Sequence, residues 1–372
     1  SFKGSCSTLE VADHVAAGFL KVFPQAQIVK IPVADGGEGT VEAMVLGSGG
    51  TFHKMQVVGP LGEQTEASYG ILNNGVGVVE LAAASGLPMV PDEKKNPLIT
   101  TSYGTGQLIL SAVEAGCKKI LVGLGGSATN DGGMGIAQAF GVSFKDAEGN
   151  ELGYGGGELS KLASIDTSKL DPRLAEVEII IASDVSNPLC GPTGASAVYG
   201  PQKGATPELV ELLDKNLAHY AQVIKEQLGK DIINVPGAGA AGGASVALML
   251  FAGATIQPGI QVVLDVAEID KELEDADLVV TGEGRIDGQS VFGKVPVGVA
   301  GRAQKFNVPV LAIVGSIGDG AEAVYDHGVD SIINTQNKPM SLQEAMENAG
   351  ALLENAAERA ARTIRIGMKA AK

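Results

Sequence analysis

The sequence contains no tryptophan and has few aromatic residues of any kind. Phe, Tyr and Trp together make up 4% of its 372 residues. Proteins that bind bases or sugars by stacking need exposed aromatic rings. This composition therefore argues against a stacking platform for nucleic acid or polysaccharide.

Cysteine is also scarce, since Cys6, Cys117 and Cys190 are the only three and they lie far apart. Neither a paired C-x-x-C spacing nor an even count is present, which argues against a zinc site and a disulfide framework. The sequence opens Ser1-Phe2-Lys3-Gly4 without the apolar region of a secretory signal. Together these features predict a reduced, cytoplasmic protein.

Basic residues are outnumbered by acidic ones, with 27 Lys and Arg against 43 Asp and Glu and a net charge of −16. Such a balance argues against nucleic acid and against an anionic membrane surface as partners. The most apolar stretch, residues 244–256, is shorter than the ~20 residues of a membrane span. We interpret it as a buried helix.

Glycine is the residue in excess, with 52 copies. Many stand in short clusters after apolar runs, as in α/β proteins that bind ligands at strand ends. Capping boxes at Ser7 and Ser341 and an N-cap at Thr206 predict helix starts. Strands are predicted at 27–33, 76–81, 120–124, 177–182, 262–264, 278–280, 310–314 and 331–333.

Alternating strands and helices predict a parallel sheet covered by helices. We expect two α/β domains, one Rossmann- or flavodoxin-like with a parallel sheet and a second, mixed α/β domain inserted in it. The predicted boundaries place residues 1–59 and 276–372 in the first domain and 60–275 in the second. A simple division near residue 275 is the alternative.

Three glycine-rich segments are candidates for holding phosphate. Gly237-Ala238-Gly239-Ala240-Ala241-Gly242 matches the dinucleotide fingerprint G-x-G-x-x-G, and Asp265 follows a predicted strand. An NAD-dependent dehydrogenase is the function this motif would indicate. Pro236 interrupts the expected strand ending, and Asp265 lies further along than the roughly 20 residues expected.

The second segment, Gly288-Gln289-Ser290-Val291-Phe292-Gly293-Lys294, matches G-x-x-x-x-G-K. Val295 stands where a P-loop needs Ser or Thr, so a true P-loop is disfavoured. Lys294 is still a candidate phosphate contact, with a solvated loop lysine as the alternative.

The third segment is Gly123–Gly133, which contains the glycine-rich 125–131 loop between a predicted buried strand and a helix. Gly125, Gly126, Ser127 and Asn130 can offer backbone N–H and polar side-chain groups to an anion. A plain loop with helix caps is the alternative interpretation.

Acidic and basic residues recur in these glycine-rich surroundings. The carboxylates are Asp35, Asp131, Asp184, Glu283 and Asp287, and the cations are Lys3, Lys203 and Arg285. Carboxylates, cations and glycine loops at one sheet edge fit phosphoryl transfer, in which positioning and charge neutralisation dominate catalysis. A non-catalytic binding protein for small acids is the other class that this pattern allows.

Taken in order, these segments resemble the type I group of the bacterial glycerate kinase family. The matching stretches are Ser1-Phe2-Lys3-Gly4-Ser5, Pro32-Val33-Ala34-Asp35-Gly36-Gly37-Glu38-Gly39-Thr40, Asn96-Pro97-Leu98, Thr101-Ser102-Tyr103-Gly104-Thr105-Gly106, Gly125-Gly126-Ser127-Ala128-Thr129-Asn130-Asp131-Gly132-Gly133, Asp184-Val185-Ser186-Asn187-Pro188-Leu189, Gly200-Pro201-Gln202-Lys203-Gly204-Ala205, Gly237-Ala238-Gly239-Ala240-Ala241-Gly242-Gly243 and Thr281-Gly282-Glu283-Gly284-Arg285-Ile286-Asp287. Family members carry a short strand ending in Pro-Asp ahead of the first stretch, which this sequence lacks.

The resemblance implies ATP-dependent phosphorylation of D-glycerate, with 2-phosphoglycerate favoured over 3-phosphoglycerate as product. It also implies Mg²⁺ and a site in the cleft between two α/β domains. The expected partners are glycerate and ATP, with no nucleic acid or membrane. Because many cytoplasmic sugar-acid enzymes are dimers, a homodimer is the assembly to test for.

We assign roles to individual residues as hypotheses. Asp184 is the first candidate for the base that accepts the glycerate hydroxyl proton, and Asp131 is the second. Lys203 and Lys3 would neutralise phosphate oxygens, and Arg285 would fork onto the substrate carboxylate. Further phosphate or substrate contacts are predicted at Gly36, Gly37, Gly125, Gly126, Ser127, Asn130, Asn187 and Lys294. Asp35 and Glu283 are the candidate Mg²⁺ ligands.

Overall fold

A computed structural model describes residues 2, 4–34, 39–291 and 293–371 of the chain. The strands of this part are β1 (Thr51–Val58), β2 (Gln64–Ile71), β3 (Gly77–Glu80), β4 (Lys119–Gly123), β5 (Ser143–Lys145), β6 (Ser164–Asp166), β7 (Glu178–Ala182), β8 (Thr255–Gln257), β9 (Val279–Glu283), β10 (Val310–Val314) and β11 (Ser331–Asn334). The α-helices are α1 (Thr8–Leu20), α2 (Thr40–Ser48), α3 (Ala82–Ser85), α4 (Tyr103–Glu114), α5 (Met134–Ala139), α6 (Ala195–Tyr199), α7 (Pro207–Leu228), α8 (Ala244–Ala252), α9 (Gly259–Val266), α10 (Ile269–Leu273), α11 (Val295–Ala303), α12 (Leu342–Glu347) and α13 (Ala349–Ala370).

The protein has a mixed α/β fold, and its described residues form two compact units. Unit 1 lies within Ser1–Asp35, Leu46–Ser48 and Ile260–Lys372, and unit 2 lies within Gly36–Val45 and Gly49–Gly259. Unit 1 is therefore discontinuous in sequence, with unit 2 between its parts. The units divide near residues 35–49 and 259, whereas the sequence predicts boundaries after residues 59 and 275.

Unit 2 is built on a six-stranded sheet in the order β1-β2-β3-β4-β7-β8. The strands β3, β4, β7 and β8 are parallel to one another, while β1 and β2 are antiparallel additions at one edge. Ile120, Leu121 and Val122 of β4 are completely or almost completely buried. An unbroken apolar strand of this kind is typical of a parallel sheet whose two faces are both covered.

Unit 1 contains a three-stranded parallel sheet in the order β11-β10-β9. The helices α1 and α13 pack against each other beside it. The buried face of α13 is formed by Leu353 and by the small residues Ala356, Ala357, Ala360 and Ala361. Small side chains allow two helix backbones to approach closely, and a Cβ atom on Gly18 of α1 would overlap the Glu354 carbonyl oxygen.

Most predicted elements are confirmed, and two predicted strands are wrong. Residues 26–34, all within the described part of the chain, belong to no helix or strand. Residues 262–264 lie inside α9, which begins at Gly259 directly after Pro258. The segment predicted as a buried helix at 244–256 forms α8 and then the short strand β8. No helix in the described part of the chain is long and apolar enough to span a membrane.

Candidate active site

The carboxyl ends of two neighbouring parallel strands define one edge of the unit 2 sheet. Strands β4 and β7 are aligned so that Gly123 is opposite Ala182. The 125–131 loop leaves β4 and the segment containing Asp184 and Asn187 leaves β7. Both segments therefore start at the same sheet edge, which is where ligands bind in open α/β sheets.

The first part of the 125–131 loop is exposed and the second part is buried. Gly125 and Gly126 are exposed, and Gly126 has a φ of 71°, a value that favours glycine. The Gly126 carbonyl accepts a hydrogen bond from the Leu87 amide at 2.7 Å, which anchors the turn. Ser127 is 7% exposed and the following residues are buried. The exposed glycines present their backbone groups to solvent, and the buried residues that follow hold the end of the loop.

Asp131 ends the loop inside the protein. It has no exposed surface, and its carboxylate accepts hydrogen bonds from the Ser102 amide and hydroxyl, both at 2.8 Å. The amides of Gly133 at 3.1 Å and Gly135 at 3.3 Å donate to it as well. Burial raises the pKa of the Asp131 carboxyl, and these hydrogen bonds oppose that shift. As placed here, Asp131 anchors the start of α5, and acting as a general base would require it to leave this position.

Lys203 is buried against the same loop. The residue lies on a short 3₁₀ turn, Pro201–Lys203, and is 2% exposed. Its Nζ donates to Ser127 Oγ at 2.7 Å and to the Thr129 carbonyl at 2.6 Å. Burial lowers the pKa of Lys203 to about 7, although the nearby Asp131 charge favours the ammonium form. Direct contact with a phosphate oxygen would require the side chain to leave these partners.

Asn130 faces the interior and is linked to another element. Its Nδ2 donates to Ser196 Oγ of α6 at 2.9 Å. Asn130 Oδ1 and Thr129 Oγ1 are buried atoms without a hydrogen-bond partner among the described residues. Since buried polar atoms are nearly always hydrogen-bonded in native proteins, this end of the loop retains hydrogen-bonding capacity for water or ligand.

The segment after β7 places Asp184 on the surface and fixes Asn187. The Asp184 side chain is exposed. The Asn187 carboxamide donates to the Thr193 carbonyl at 2.8 Å and accepts from the Tyr199 hydroxyl at 2.9 Å. The position of Asn187 is thus set by the protein, and Asp184 is exposed at the same sheet edge.

In unit 1, the fully buried Ser290 joins a carboxylate to a lysine. Its hydroxyl donates to Glu283 Oε1 at 2.8 Å and accepts from Lys294 Nζ at 3.2 Å and from the Asp287 amide at 3.1 Å. Glu283 is the last residue of β9, and Lys294 immediately precedes α11. Burial raises the pKa of Glu283, while the Ser290 hydrogen bond opposes the shift.

Arg285 and Asp287 extend this group towards solvent. Arg285 Nε lies 3.3 Å from Asp287 Oδ2, and the arginine side chain is 66% exposed. Lys294 Nζ lies 3.5 Å from the other Asp287 carboxylate oxygen. The Gln289 amide and the two nearby cations keep the pKa of Asp287 below its usual value. The exposed guanidinium is accessible to an anionic ligand.

Four predicted site residues, Lys3, Asp35, Gly36 and Gly37, lie outside the described residues. Within the described residues, no three His, Cys, Asp or Glu side chains are grouped closely enough to hold a metal ion. Such a group is not required for Mg²⁺ at a nucleotide, which is usually held by one or two carboxylates, water and substrate phosphates. The hard oxygen donors of Glu283 fit that pattern.

The dinucleotide interpretation of Gly237–Gly242 is wrong. Residues 231–236 are turn and coil rather than strand, and Ala241 and Gly242 have φ values of 51° and 69°. Asp265 lies in α9, where it forms an ion pair with Arg302. The fingerprint requires a strand–turn–helix geometry and an acidic residue at a strand end. This segment has neither.

Three serines that organise the site were not selected from the sequence. Ser102 holds Asp131, Ser196 holds Asn130, and Ser290 links Glu283 to Lys294. Ser102 stands in one of the stretches that carry the family resemblance, and Ser290 stands in the G-x-x-x-x-G-K segment. Membership of these segments was the only sequence signal for the two serines. The contacts that they make depend on the fold and could not be read from the segments.

Comparison with known proteins identifies relatives along nearly the whole chain. A model of the glycerate kinase family matches residues 1–365. The chain is 50% identical over 370 residues to the Glycerate 2-kinase of Escherichia coli, covering 99% of this chain and 97% of that protein. It is 48% identical over 373 residues to the Glycerate kinase of Bacillus subtilis, covering 100% of this chain and 97% of the relative.

A solved structure gives the same result for the fold. The crystal structure of a Salmonella typhimurium protein described as a glycerate kinase 2 aligns with a TM-score of 0.91 and 47% sequence identity. The alignment covers 99% of this chain and 97% of that chain.

Proposed function

The chain belongs to the glycerate kinase family, and we propose that it transfers the γ-phosphoryl group of ATP to a hydroxyl group of D-glycerate. The observation that carries this proposal is the match to the family model over residues 1–365, with relatives near 50% identity at full length. From the order of its motifs we also propose that it belongs to the type I group. A dehydrogenase function lacks support in the geometry of Gly237–Gly242.

We further propose that the product is 2-phosphoglycerate rather than 3-phosphoglycerate. Support comes from the Escherichia coli relative, which is named for the 2-kinase reaction. A reduced, cytoplasmic location and a homodimeric assembly remain predictions from the sequence.

Asp184 is our candidate for the general base. Its carboxylate is exposed at the ligand-binding edge of the unit 2 sheet. It would accept the proton of the attacking glycerate hydroxyl as that oxygen bonds to the γ-phosphorus and the bond to the β-phosphate oxygen breaks, releasing ADP. The exposed backbone of Gly125 and Gly126, with Ser127, would hold an anionic oxygen.

A second set of charged groups lies in unit 1. Lys294 would neutralise phosphate charge and Arg285 would pair with the glycerate carboxylate. Glu283 would hold Mg²⁺, together with Asp35 outside the described residues. A bound Mg²⁺ would neutralise charge on the transferring phosphoryl group. Ser290 holds Glu283 and Lys294 in a fixed relation to each other.

The test of the function is an assay of ADP release coupled to NADH oxidation, with ATP, Mg²⁺ and D-glycerate, followed by ³¹P NMR of the product. Glycerate-dependent ADP release is expected, and the phosphorus–proton coupling pattern should be that of a phosphate on the secondary 2-hydroxyl. Glycerate binding without ATP consumption would instead favour a non-catalytic binding protein. A product phosphorylated at O3 would refute the proposed regiochemistry.

The general base is tested by Asp184→Asn. A positioned base contributes typically 10²- to 10⁴-fold to rate, so we expect kcat to fall by at least about 100-fold. Asp275→Asn, at an exposed aspartate of unit 1, is the matched control and should leave kcat unchanged. Turnover within a few-fold of wild type for Asp184→Asn would show that another group takes the proton.

A further inference from the structure

Lys203 contacts the candidate phosphate loop from inside the protein. Its side chain is 2% exposed, and both of its Nζ hydrogen bonds end on the loop, at Ser127 Oγ and the Thr129 carbonyl. The two contacts bridge 76 and 74 residues of sequence. A long side chain held in this way fixes the loop rather than reaching into solvent.

The contact with Ser127 determines the orientation of the serine hydroxyl. A serine hydroxyl has one hydrogen to donate and lone pairs that accept. With Lys203 Nζ as the donor to Ser127 Oγ, the hydroxyl hydrogen is directed away from the lysine. The ammonium form allows only this direction, because it has no lone pair to accept a hydrogen bond. Within the part of the chain that the structure describes, no acceptor receives it, and the adjacent Gly125 and Gly126 are exposed.

We propose that Lys203 is a positioning residue, which orients Ser127 so that the serine hydroxyl donates its hydrogen bond to an anionic oxygen of the substrate. This inference rests on the proposed function, because it requires a ligand at the 125–131 loop. The ligand oxygen belongs either to a phosphate of ATP or to the carboxylate of glycerate. Both are anionic oxygens that accept a hydrogen bond, and steady-state kinetics with each substrate varied can distinguish them.

The backbone around Lys203 supports a fixed position. Gly204 follows it with a φ of 94°, and a Cβ atom on Gly204 would overlap the Lys95 carbonyl oxygen. The chain is therefore closely packed next to the lysine. Burial also lowers the pKa of Lys203 to about 7, and both Nζ hydrogen bonds can be donated by the neutral amine as well as by the ammonium.

The experiment compares Ser127→Ala, Ser127→Thr, Lys203→Met and the double variant S127A/K203M in steady-state kinetics with ATP and glycerate varied separately. Loss of a hydrogen bond to a charged oxygen predicts a decrease of roughly 10- to 100-fold in kcat/KM for S127A, with substantial recovery in S127T. K203M should show a comparable decrease. The double variant should be little worse than the poorer single variant, because the two residues act through one contact.

The two ligand sources give different patterns. A glycerate partner predicts a raised KM for glycerate with an unchanged KM for ATP in S127A. A phosphate partner predicts a raised KM for ATP or a lowered kcat. Lys118→Met is the matched control, since this lysine of unit 2 is 75% exposed, and it should leave both KM values and kcat unchanged.

Two kinetic results would overturn the inference while wild-type activity is intact. One is S127A with kcat and both KM values within two-fold of wild type. The other is a double variant whose losses multiply, which would show that Lys203 acts independently of Ser127. Absence of glycerate-dependent turnover in the wild type would instead refute the proposed function.

If K203M does not fold, the contact is tested from the serine side by thermal unfolding. S127A removes one acceptor of the buried Lys203 Nζ, so its midpoint should fall below that of the wild type and S127T should restore it. An unchanged midpoint in S127A would contradict the proposal.

Discussion

Replacing Lys203 with methionine should change the pH dependence of stability as well as stability itself. In the folded protein, burial lowers the pKa of Lys203 from its ordinary value of 10.5 to about 7. Between these two values the unfolded chain holds one more proton than the folded chain at this site. Stability therefore rises with pH across this interval, at up to about 1.4 kcal/mol per pH unit from this one group.

The magnitude can be worked out for a practical pH range. Below pH 7 the folded protein buries a charged ammonium, which lowers its free energy of unfolding. As the pH rises, the folded protein loses this proton and the destabilisation is relieved. Two-state linkage with these pKa values gives a gain of about 3 kcal/mol between pH 6 and pH 9. The methionine side chain of K203M does not titrate. The difference in free energy of unfolding between wild type and K203M should therefore change by that amount from pH 6 to pH 9, in favour of the wild type.

The measurement is urea unfolding at pH 6, 7, 8 and 9, followed by circular dichroism because the chain has no tryptophan. A reductant keeps the three cysteines as thiols. Lys118→Met should give a pH profile parallel to that of the wild type, because Lys118 is exposed. Parallel profiles for wild type and K203M from pH 6 to pH 9 would refute the reasoning, since they would mean that the buried amine keeps its proton.

The remaining predictions concern the rigid base of the site. Ser102→Ala removes a buried hydrogen bond to Asp131, so we expect a loss of about 2 kcal/mol in the free energy of unfolding. A loss below about 0.5 kcal/mol would contradict the role of Ser102. Gly204→Ala should cost at least about 2 kcal/mol, because it combines a positive φ with overlap on the Lys95 carbonyl. Gly191 also has a positive φ, 93°, but the space around it is open. Gly191→Ala should therefore lower the free energy of unfolding by only about 1 kcal/mol. Equal losses in the two glycine variants, measured by the same denaturation, would show that the overlap is relieved.

Sequence patterns predicted the elements whose signals are local. The capping boxes at Ser7 and Ser341 form as expected, and Thr206 accepts a hydrogen bond from the Leu209 amide at the start of α7. Each depends on residues within one turn of helix. The β1–β2 hairpin was not predicted, because polar residues such as His53, Lys54 and Gln56 interrupt its apolar pattern.

The candidate site was found from sequence only at the level of its loops. The expectation that acidic residues after parallel buried strands share one sheet edge holds for Asp131 and Asp184, which follow β4 and β7. It is wrong for Glu283 and Asp287, which follow β9 of the separate three-stranded sheet. The burial of the Asp131 and Lys203 side chains could not be predicted from these patterns. Asp131 and Lys203 are desolvated by elements far away in sequence, such as Ser102, which is 29 residues from Asp131. Charged residues in glycine-rich segments are usually exposed, so the sequence pattern favoured direct catalytic roles for both.

The pairing of α1 with α13 has a consequence for synthesis of the protein on the ribosome. Residues 49–259 of unit 2 are continuous in the chain and can begin to fold while the rest is still being translated. Phe19 of α1 belongs to a core completed by Leu353, Ala356 and Ala357 of α13, which are made near the end of translation. Until α13 leaves the exit tunnel, the apolar face of α1 has no partner helix and is a surface for chaperones to cover. We therefore expect a nascent chain arrested before residue 349 to hold a protease-resistant unit 2 and a protease-sensitive α1.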